Sequence, residues 1–381
     1  MGQVHRKYRI ILSGGGTGGH IFPAVSIADR FRARHPDAEI LFVGAEGRME
    51  MTRVPEAGYR IIGLPIAGIQ RSLSMSNLAV PFKLAASLWR ARKVVRDFRP
   101  DIAVGTGGYA SGPVLFAASM AGVPTLIQEQ NGFAGVTNKI LAKRAAKICV
   151  AYEGLERVFP KDKIVLTGNP VRASILDGKK SRQEALDEFS LSAGRKTFLV
   201  LGGSLGARAV NNAVFESIDT LASDGSQLLW QCGKLYYNQY RRELDRLVAE
   251  HPEKDLENRV ALVPFISDMN AAYSVADFII SRAGAGTISE LCIVGKPSVL
   301  IPSPNVAEDH QRHNAQALSS KGAAVFIPES ENLSADLSLA AARLLSDASL
   351  CSELSRNISS MARPDATSDI VDEIEKLLPA I

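Results

Sequence analysis

Four glycine-rich segments in this sequence have the composition of loops that bind phosphate groups. They are Gly14–His20, Gly105–Pro113, Gly202–Ala207 and Arg282–Thr287. Glycine lets the backbone approach a ligand closely, and the first amides of a helix that follows point at an anion placed there. A tight turn needed for packing would explain one such loop. Four of them, each after an apolar run, favour a phosphorylated ligand.

The first loop also fits a dinucleotide fingerprint. Gly14, Gly16 and Gly19 have the required spacing, and Glu46 stands near the end of the next apolar run, where an acid would bind a ribose. A nucleotide-dependent oxidoreductase is therefore one alternative. The sequence has neither a P-loop nor an Asp-x-Asp triplet, which often indicates a nucleotide diphosphate held by a metal. A helix N-terminus would then stabilise a pyrophosphate leaving group instead.

Polar residues in the second half suit a nucleotide sugar. The segment Ser281–Leu291 runs from a predicted strand into a helix and is expected to place Glu290 on the first turn, where its carboxylate would accept two ribose hydroxyls. Plain stabilisation of the helix start, worth ~0.3–1 kcal/mol, is the alternative. Gln311 and Asn314 are three apart, hence on one helical face, and suit sugar hydroxyls. A solvated helix start would explain them equally well.

The elements that must position these loops are strands alternating with helices. This alternation predicts βαβ units and parallel sheets covered on both faces. The predicted strands are Arg9–Leu12, Glu39–Val43, Tyr59–Leu64, Asp101–Val104, Pro124–Ile127, Lys147–Ala151, Lys163–Leu166, Thr197–Leu201, Gln227–Gln231, Arg259–Val263, Asp277–Ile280, Ser298–Ile301 and Ala324–Ile327. Helical patterns include Ile21–Arg34, Leu78–Phe98 and a lone final one, Asp365–Leu378.

Length and composition indicate two globular domains. The chain has 381 residues, 46% hydrophobic and 22% charged, and each half opens with a strand that runs into glycines. Ligands bind beyond the carboxyl ends of such strands, so two facing sheets would form one deep cleft. A formal charge of +4 is too mild to indicate a nucleic-acid partner. Four cysteines without a Cys-x-x-Cys pair favour a reducing compartment, and no run reaches the ~18 apolar residues of a membrane span.

Taken together, the motifs resemble the MurG family of GT-B glycosyltransferases, which transfer GlcNAc to a lipid-linked acceptor. They follow the family's order along nearly the whole chain: Gly14–Ala24, Gly107–Pro113, Glu129–Asn131, Gly168–Arg172, Gly202–Ala207, Pro264–Ile266, Ser281–Leu291 and Gln311–Ala315. The resemblance implies an α/β GT-B fold, two Rossmann-like domains with parallel sheets facing across a deep cleft. Residues 1–169 with 363–381 would bind lipid I and associate with the membrane, and residues 170–362 would bind UDP-GlcNAc.

The resemblance also implies roles for individual residues. Ile266 would meet uracil through its backbone, Glu290 would hold the ribose, and Gln311 and Asn314 would contact the GlcNAc hydroxyls. Further donor contacts are expected from Ser204, Ala285, Gly286, Thr287 and Arg172 at the pyrophosphate, and from Thr17, Gly18, Gly19 and Asn131 in the cleft. The acceptor side would be lined by Gly16, His20, Gly107, Gly108, Tyr109 and Asn131. No metal or other cofactor is expected.

The implied reaction is an inverting transfer that needs a general base. His20 is the first candidate because histidine ordinarily titrates near neutral pH, and a role only in orienting the loop is an equal alternative. Glu129 is the second candidate. Two positions depart from the family pattern. Gln128 stands where the family often has histidine, which puts a role for an imidazole there in doubt, and Leu205 replaces a frequent glutamine.

A lipid acceptor requires contact with a bilayer without a membrane span. The segment Leu73–Arg99 combines apolar and basic residues, as interfacial segments on anionic lipid do. We expect the contact at Leu73, Met75, Leu78, Phe82 and Lys83, on the cytoplasmic face of the plasma (inner) membrane. Core spacing of Leu84, Leu88, Val95 and Phe98 is the competing interpretation, because these residues would face the sheet.

Other functions stay open at this point. Within the same fold, a glycolipid glycosyltransferase or a UDP-GlcNAc epimerase would share the nucleotide half and differ in the acceptor. A sugar-nucleotide sensor would not need a second glycine-lined wall. The expected partners are UDP-GlcNAc, undecaprenyl-linked lipid I and an anionic membrane surface, and the resemblance adds other cell-wall or division proteins.

Overall fold

The computed structural model describes residues 7–66, 80–176, 180–203, 205–306 and 309–380. The chain divides into two compact units, Met1–Arg172 with Arg363–Ile381, and Ala173–Ala362. The expected boundary after residue 169 therefore moves to Arg172, so that Pro170–Arg172 belong to the first unit.

The first unit is built on a seven-stranded parallel sheet with the strand order β3-β2-β1-β4-β5-β6-β7. Its strands are β1 (Arg9–Gly14), β2 (Glu39–Ala45), β3 (Arg60–Leu64), β4 (Ile102–Gly107), β5 (Thr125–Glu129), β6 (Lys147–Val150) and β7 (Ile164–Leu166). Its helices are α1 (Gly18–Arg34), α2 (Glu50–Glu56), α3 (Val80–Phe98), α4 (Ser111–Met120), α5 (Val136–Leu141) and the C-terminal α16 (Ala366–Glu375). Every strand predicted for this half is confirmed. β4 continues into the second glycine segment as far as Gly107, which pairs with Gly14.

Helices cover both faces of this sheet. Buried side chains of α3, α4 and α5 form one apolar core with the sheet. Those of α1, α2 and α16 form another. The lone final helical pattern is therefore a helix of the first unit: Ile370 and Ile374 are buried there, and the Arg34 guanidinium bonds the Asp372 carboxylate at 2.5 Å.

The second unit repeats the plan with six parallel strands in the order β10-β9-β8-β11-β12-β13. Its strands are β8 (Lys196–Leu201), β9 (Ser226–Gln231), β10 (Val260–Val263), β11 (Phe278–Ser281), β12 (Ser298–Leu300) and β13 (Val325–Phe326), again as predicted. Its helices are α6 (Ala173–Leu176), α7 (Arg182–Glu188), α8 (Arg208–Glu216), α9 (Ile218–Leu221), α10 (Tyr237–Glu250), α11 (Met269–Val275), α12 (Ala285–Val294), α13 (His310–Ser319), α14 (Leu333–Ser346) and α15 (Ala348–Ser360).

Both sheets have a topological switch point beside their first strand. The chain order reverses between β1 and β4 in the first sheet and between β8 and β11 in the second. Crevices beyond the carboxyl ends of strands at such points are where α/β sheets bind ligands. The four glycine segments follow these four strands, so each switch point carries two of them.

Candidate active site

The helices that begin at the glycine segments are open to an anion at their N-termini. None of α1, α4, α8 and α12 has an acidic residue in its first turn. Acidic residues are common at that position because they complement the helix dipole. Because acidic residues are absent here, the helix dipole and the first backbone amides are available to stabilise a negatively charged ligand.

The two glycine segments of the first unit pack backbone against backbone. Gly108 has a φ of +88°, and a Cβ at this position would lie 2.3 Å from the carbonyl oxygen of Gly15. A side chain there is excluded both by the conformation and by the space. The close approach brings the start of α1 against the end of β4, where Thr106 Oγ1 donates to the carbonyl oxygen of His20 at 2.7 Å.

His20 has a defined ring orientation. Its Nδ1 lies 2.9 Å from the carbonyl oxygen of Thr106 and 3.0 Å from Oε1 of Gln130. Both partners are acceptors, so Nδ1 carries the proton of the neutral ring. The other nitrogen, Nε2, then has the lone pair and is able to accept a proton.

A buried network of carboxamides lies behind His20. Gln130 Nε2 donates to the carbonyl oxygen of Thr106 at 2.7 Å and also bonds Oε1 of Gln128. Gln128 Nε2 donates to Oδ1 of Asn169 at 2.9 Å, and Asn169 Nδ2 donates to the carbonyl oxygen of Gln130 at 3.0 Å. The residue that departs from the family pattern, Gln128, is thus fully buried in this network.

Glu129 has a different place from the one expected for a base. Its Oε1 accepts the backbone N–H of Asn131 at 3.2 Å, and its Oε2 accepts the N–H of Gly135 at 3.0 Å and Nδ2 of Asn138 at 2.9 Å. The side chain is buried, and N–H donors occupy both of its oxygens. Glu129 is therefore better explained as the anchor of the Asn131–Gly135 loop than as a base.

Most of the predicted residues around the first two glycine segments are accessible, although Gly107 is buried. Thr17 is the N-cap of α1 and makes no side-chain capping bond, and Gly16, Gly19 and Tyr109 are exposed. Glu46, the acid considered for a dinucleotide, instead forms an exposed ion pair with Arg90 at 2.5 Å. Prediction from the sequence missed the buried acid nearby, Glu50, which accepts the N–H of Gly16 at 2.9 Å.

In the second unit, the fourth glycine segment starts α12 with Gly284 as the N-cap. The N–H groups of Ala285, Gly286 and Thr287 belong to its first turn. Glu290 was expected on that turn, but the helix begins at Ala285 and Glu290 lies in the second turn. Tyr273, which the sequence did not single out, donates from Oη to Glu290 Oε2 at 2.9 Å.

The two amides of α13 face different partners. Gln311 is half-buried, and its Oε1 accepts the N–H of Ser303 at 3.0 Å. Asn314 is buried, and its Nδ2 donates to the carbonyl oxygen of Ala283 at 3.3 Å. Asn314 was expected to contact a sugar, but these contacts make it a support for the turn before α12.

The backbone of Ile266 is partly engaged. Its N–H donates to Oε1 of Gln231 at 3.0 Å, and Gln231 Nε2 donates to the carbonyl oxygen of Gly203 at 3.1 Å. The N–H of Ile266 is therefore already occupied. Its carbonyl is the backbone group that would meet the uracil ring without a rearrangement. Ser204 lies outside the described residues, and the Leu205 side chain beside it is exposed.

Two further expectations concern Arg172 and metal ions. Arg172 is the last residue of the first of the two stretches that form the first unit, and its guanidinium carbon lies 6.0 Å from the centre of the Phe22 ring. Within the described ranges, no three His, Cys, Asp or Glu side chains are grouped so that they could hold a metal ion.

Comparisons with known proteins cover both units. A family model described as the glycosyltransferase family 28 N-terminal domain matches residues 10–150, and one described as the glycosyltransferase family 28 C-terminal domain matches residues 197–370.

Full-length relatives carry the name UDP-N-acetylglucosamine–N-acetylmuramyl-(pentapeptide) pyrophosphoryl-undecaprenol N-acetylglucosamine transferase. The protein from Parabacteroides distasonis is 54% identical over 98% of this chain and 99% of its own length. The one from Phocaeicola vulgatus is 55% identical over 98% of this chain and 97% of its own length.

Solved structures agree with these sequences. The crystal structure of MurG from Acinetobacter baumannii superposes with a TM-score of 0.76 at 29% identity and covers 97% of this chain and 99% of its own. A UDP-N-acetylglucosamine 2-epimerase superposes with a TM-score of 0.65 at 15% identity over 97% of this chain and 95% of its own, which is a likeness of fold alone.

Proposed function

The chain belongs to glycosyltransferase family 28, and on that premise we propose that it transfers GlcNAc from UDP-GlcNAc to lipid I, giving lipid II. The observation that carries this function is the match, along nearly the whole length of both chains, to relatives named for that transfer. It sets aside the oxidoreductase, glycolipid and epimerase alternatives. In the reaction, the C4 oxygen of N-acetylmuramic acid bonds to C1 of GlcNAc, the bond from C1 to the β-phosphate oxygen breaks, and UDP leaves.

For the donor, we propose a site at the switch point of the second sheet. The acid-free start of α12 suits the diphosphate, because its first amides and its dipole favour the charge that develops as UDP leaves. Glu290, oriented by Tyr273, is placed one turn further along and would accept the ribose hydroxyls. Gln311 and the carbonyl of Ile266 would contact the sugar and the base, and Asn314 would support the turn.

For the acceptor, we propose the switch point of the first sheet, with His20 as the general base. Nδ1 of the ring is fixed by Thr106, so Nε2 is the atom that would take the proton of the C4 hydroxyl. Glu129 would hold the neighbouring loop, which carries Asn131. Metal ions are not part of this proposal, because helix N-termini would stabilise the leaving diphosphate.

For the membrane, we propose that the outer face of α3 lies on the cytoplasmic leaflet. Phe82 and Trp89, which are seven residues apart and so on one side of the helix, are exposed there. Leu84, on another side of the helix, is also exposed, so core spacing was the wrong interpretation for it, although it is right for Val95, which is buried. The helix is mainly basic. Its one acidic residue is Asp97, and its basic residues are Lys83, Arg90, Arg92, Lys93 and Arg96. Leu73, Met75 and Leu78 lie outside the described residues. No described helix combines the length and the apolar character needed to cross a bilayer.

Product analysis tests the proposed transfer. The protein is incubated with UDP-GlcNAc and a short-chain lipid I analogue, and the lipid product is examined by mass spectrometry and NMR. We expect the analogue to gain one GlcNAc residue in a β-1,4 linkage. A product with another linkage, or conversion of UDP-GlcNAc without any change in the analogue, would contradict the proposal.

A further inference from the structure

A buried carboxylate supports the first glycine segment. The Glu50 side chain is fully buried. Its Oε2 accepts the N–H of Gly16 and its Oε1 accepts the N–H of Ala45, each at 2.9 Å. In the part of the chain that the structure describes, no Lys or Arg forms an ion pair with it. Burying a carboxylate without a cation is costly, so two charge-assisted hydrogen bonds must offset the loss of hydration.

Two glycines leave room for this side chain. A Cβ at Gly15 would lie 2.1 Å from Glu50 Oε1, and a Cβ at Gly44 would lie 2.5 Å from its Cγ. Any other residue at these positions would displace the carboxylate. Glu50 is also the first residue of α2, where the helix dipole favours a negative charge. Three elements therefore meet at Glu50: the end of β2, the start of α2 and the glycine segment after β1.

The hydrogen bond from Gly16 to Glu50 occupies a backbone amide that a dinucleotide fingerprint would present to its ligand. In a dinucleotide site, the backbone around the second glycine approaches a pyrophosphate. Here the N–H of that glycine, Gly16, is bonded to a carboxylate, and the N–H of Gly15 is bonded to the carbonyl oxygen of Gly107 at 3.3 Å. Like charges repel, so a phosphate is not accommodated beside Glu50, and an anion is left to the amides of Gly18 and Gly19 at the start of α1.

We infer that Glu50 is a positioning residue for the acceptor. By fixing Gly16, it sets where the segment Thr17–His20 begins, and so holds the α1 N-terminus and the His20 ring in register with a lipid-linked diphosphate sugar. The inference deepens the proposed function and rests on it. In this scheme Thr17, Gly18 and Gly19, which the resemblance placed among the donor contacts, serve the acceptor, and Glu50 itself touches no substrate. The donor residues proposed in the second unit are not among its hydrogen-bond partners.

Steady-state kinetics of Glu50→Gln test the inference. The substitution keeps the size of the side chain but leaves one N–H facing an NH₂ group. We expect the KM for the lipid I analogue to rise at least tenfold, while the KM for UDP-GlcNAc and the calorimetric Kd for UDP stay within twofold. The matched control is Glu46→Gln, because Glu46 follows the same strand but is exposed and paired with Arg90. We expect the control to behave as the wild type.

Two further measurements guard against a variant that does not fold. Gly44→Ala would displace the Glu50 side chain through contact with its Cγ, without changing the glycine segment itself, and we expect the same selective rise in the acceptor KM. In the wild type, amide hydrogen exchange at Gly16 should be slow although this residue is exposed, since its N–H is bonded to Glu50.

Three results would overturn the inference: an unchanged acceptor KM in folded Glu50→Gln, equal losses for donor and acceptor, or fast exchange at Gly16 in the wild type. If the wild type itself did not transfer GlcNAc to the analogue, that result would count against the proposed function and not against this inference.

Discussion

The Nδ1 atom of His20 and the carbonyl oxygen of Thr106 lie 2.9 Å apart, and this contact fixes the imidazole at the start of α1 to the end of β4. The two residues are 86 positions apart in the chain, so the orientation of the ring is a product of the parallel pairing of β1 with β4. Because a carbonyl only accepts hydrogen bonds, the contact also determines which ring nitrogen is free to act as a base.

His20→Ala should lower kcat by ~10²–10⁴, the usual contribution of a positioned general base, with little change in the Kd for UDP. Rates are measured at saturating UDP-GlcNAc and acceptor analogue. His35→Ala is the matched control, because His35 caps the opposite end of the same helix and bonds Glu375 there. Near-normal turnover by His20→Ala would remove this residue from the role of base.

Tyr273→Phe should weaken UDP binding about tenfold, which is ~1.4 kcal/mol and close to the lower end of the roughly 1.5–3 kcal/mol that a hydrogen bond to a charged group contributes. The substitution keeps the buried ring and deletes the hydroxyl that donates to Glu290. In calorimetry, the loss should be smaller for 2′-deoxy-UDP, because one of the ribose hydroxyls that Glu290 would accept is missing. Tyr240→Phe, another buried tyrosine of this unit, is the control. Equal losses for both ligands would argue against a ribose contact.

Gln231→Met should raise the Kd for UDP by roughly tenfold, because two loops lose their common hydrogen-bonding partner. The matched control is Gln227→Met on the same strand, where the buried carboxamide bonds Ser192 and Thr197 instead. Thermal unfolding of both variants separates stability from binding. If the two substitutions weaken UDP to the same extent, the effect belongs to general destabilisation.

Two glutamate substitutions at the start of α3 should release the protein from anionic vesicles. Phe82→Glu with Lys83→Glu removes an apolar contact and reverses a basic one, and each basic residue near such a surface contributes ~1 kcal/mol. We expect at least a tenfold lower partition coefficient in vesicle sedimentation. Val158→Glu with Lys161→Glu, another exposed apolar and basic pair of this unit, is the control. Unchanged sedimentation of the α3 variant would place the contact elsewhere.

The buried thiols should be unreactive in the native protein. Burial raises the pKa of Cys149 to about 12 and those of Cys232 and Cys292 to about 11. At pH 8, well below these values, almost no thiolate is present, and labelling should begin to rise only at more alkaline pH. Mass spectrometry after iodoacetamide treatment at pH 8 should show label at Cys351 alone, which is only half-buried, until the protein is unfolded. Fast modification of Cys149 would contradict this packing.

Much of the fold was accessible from the sequence because its signals are local. Apolar runs predicted each strand, and the glycines after four of them predicted the turns where a ligand would bind. The strand order, and with it the two switch points, came from the structure. The position of Glu290 was missed by one turn, because the helix already begins at Ala285 inside the glycine segment, directly after its N-cap Gly284. Leu84 has the spacing of a core residue, but its side chain is exposed, because spacing indicates the face of a helix and not whether a neighbouring element covers that turn.

The supporting residues of the site were not accessible in the same way. Glu50 meets a residue 34 positions away, Gln231 one 35 away, and Tyr273 one 17 away. Nothing in the local pattern around these residues distinguishes them from ordinary helix or strand positions. Their partners become neighbours only when parallel strands align their carboxyl ends, and that alignment depends on the whole sheet.

The most direct test of the account is UDP release from UDP-GlcNAc, measured with and without a lipid I analogue in buffer containing EDTA. The account predicts release that depends on the analogue and persists in EDTA, since helix N-termini would stabilise the leaving diphosphate. Release that ignores the analogue, or that stops in EDTA and returns with a divalent cation, would contradict it.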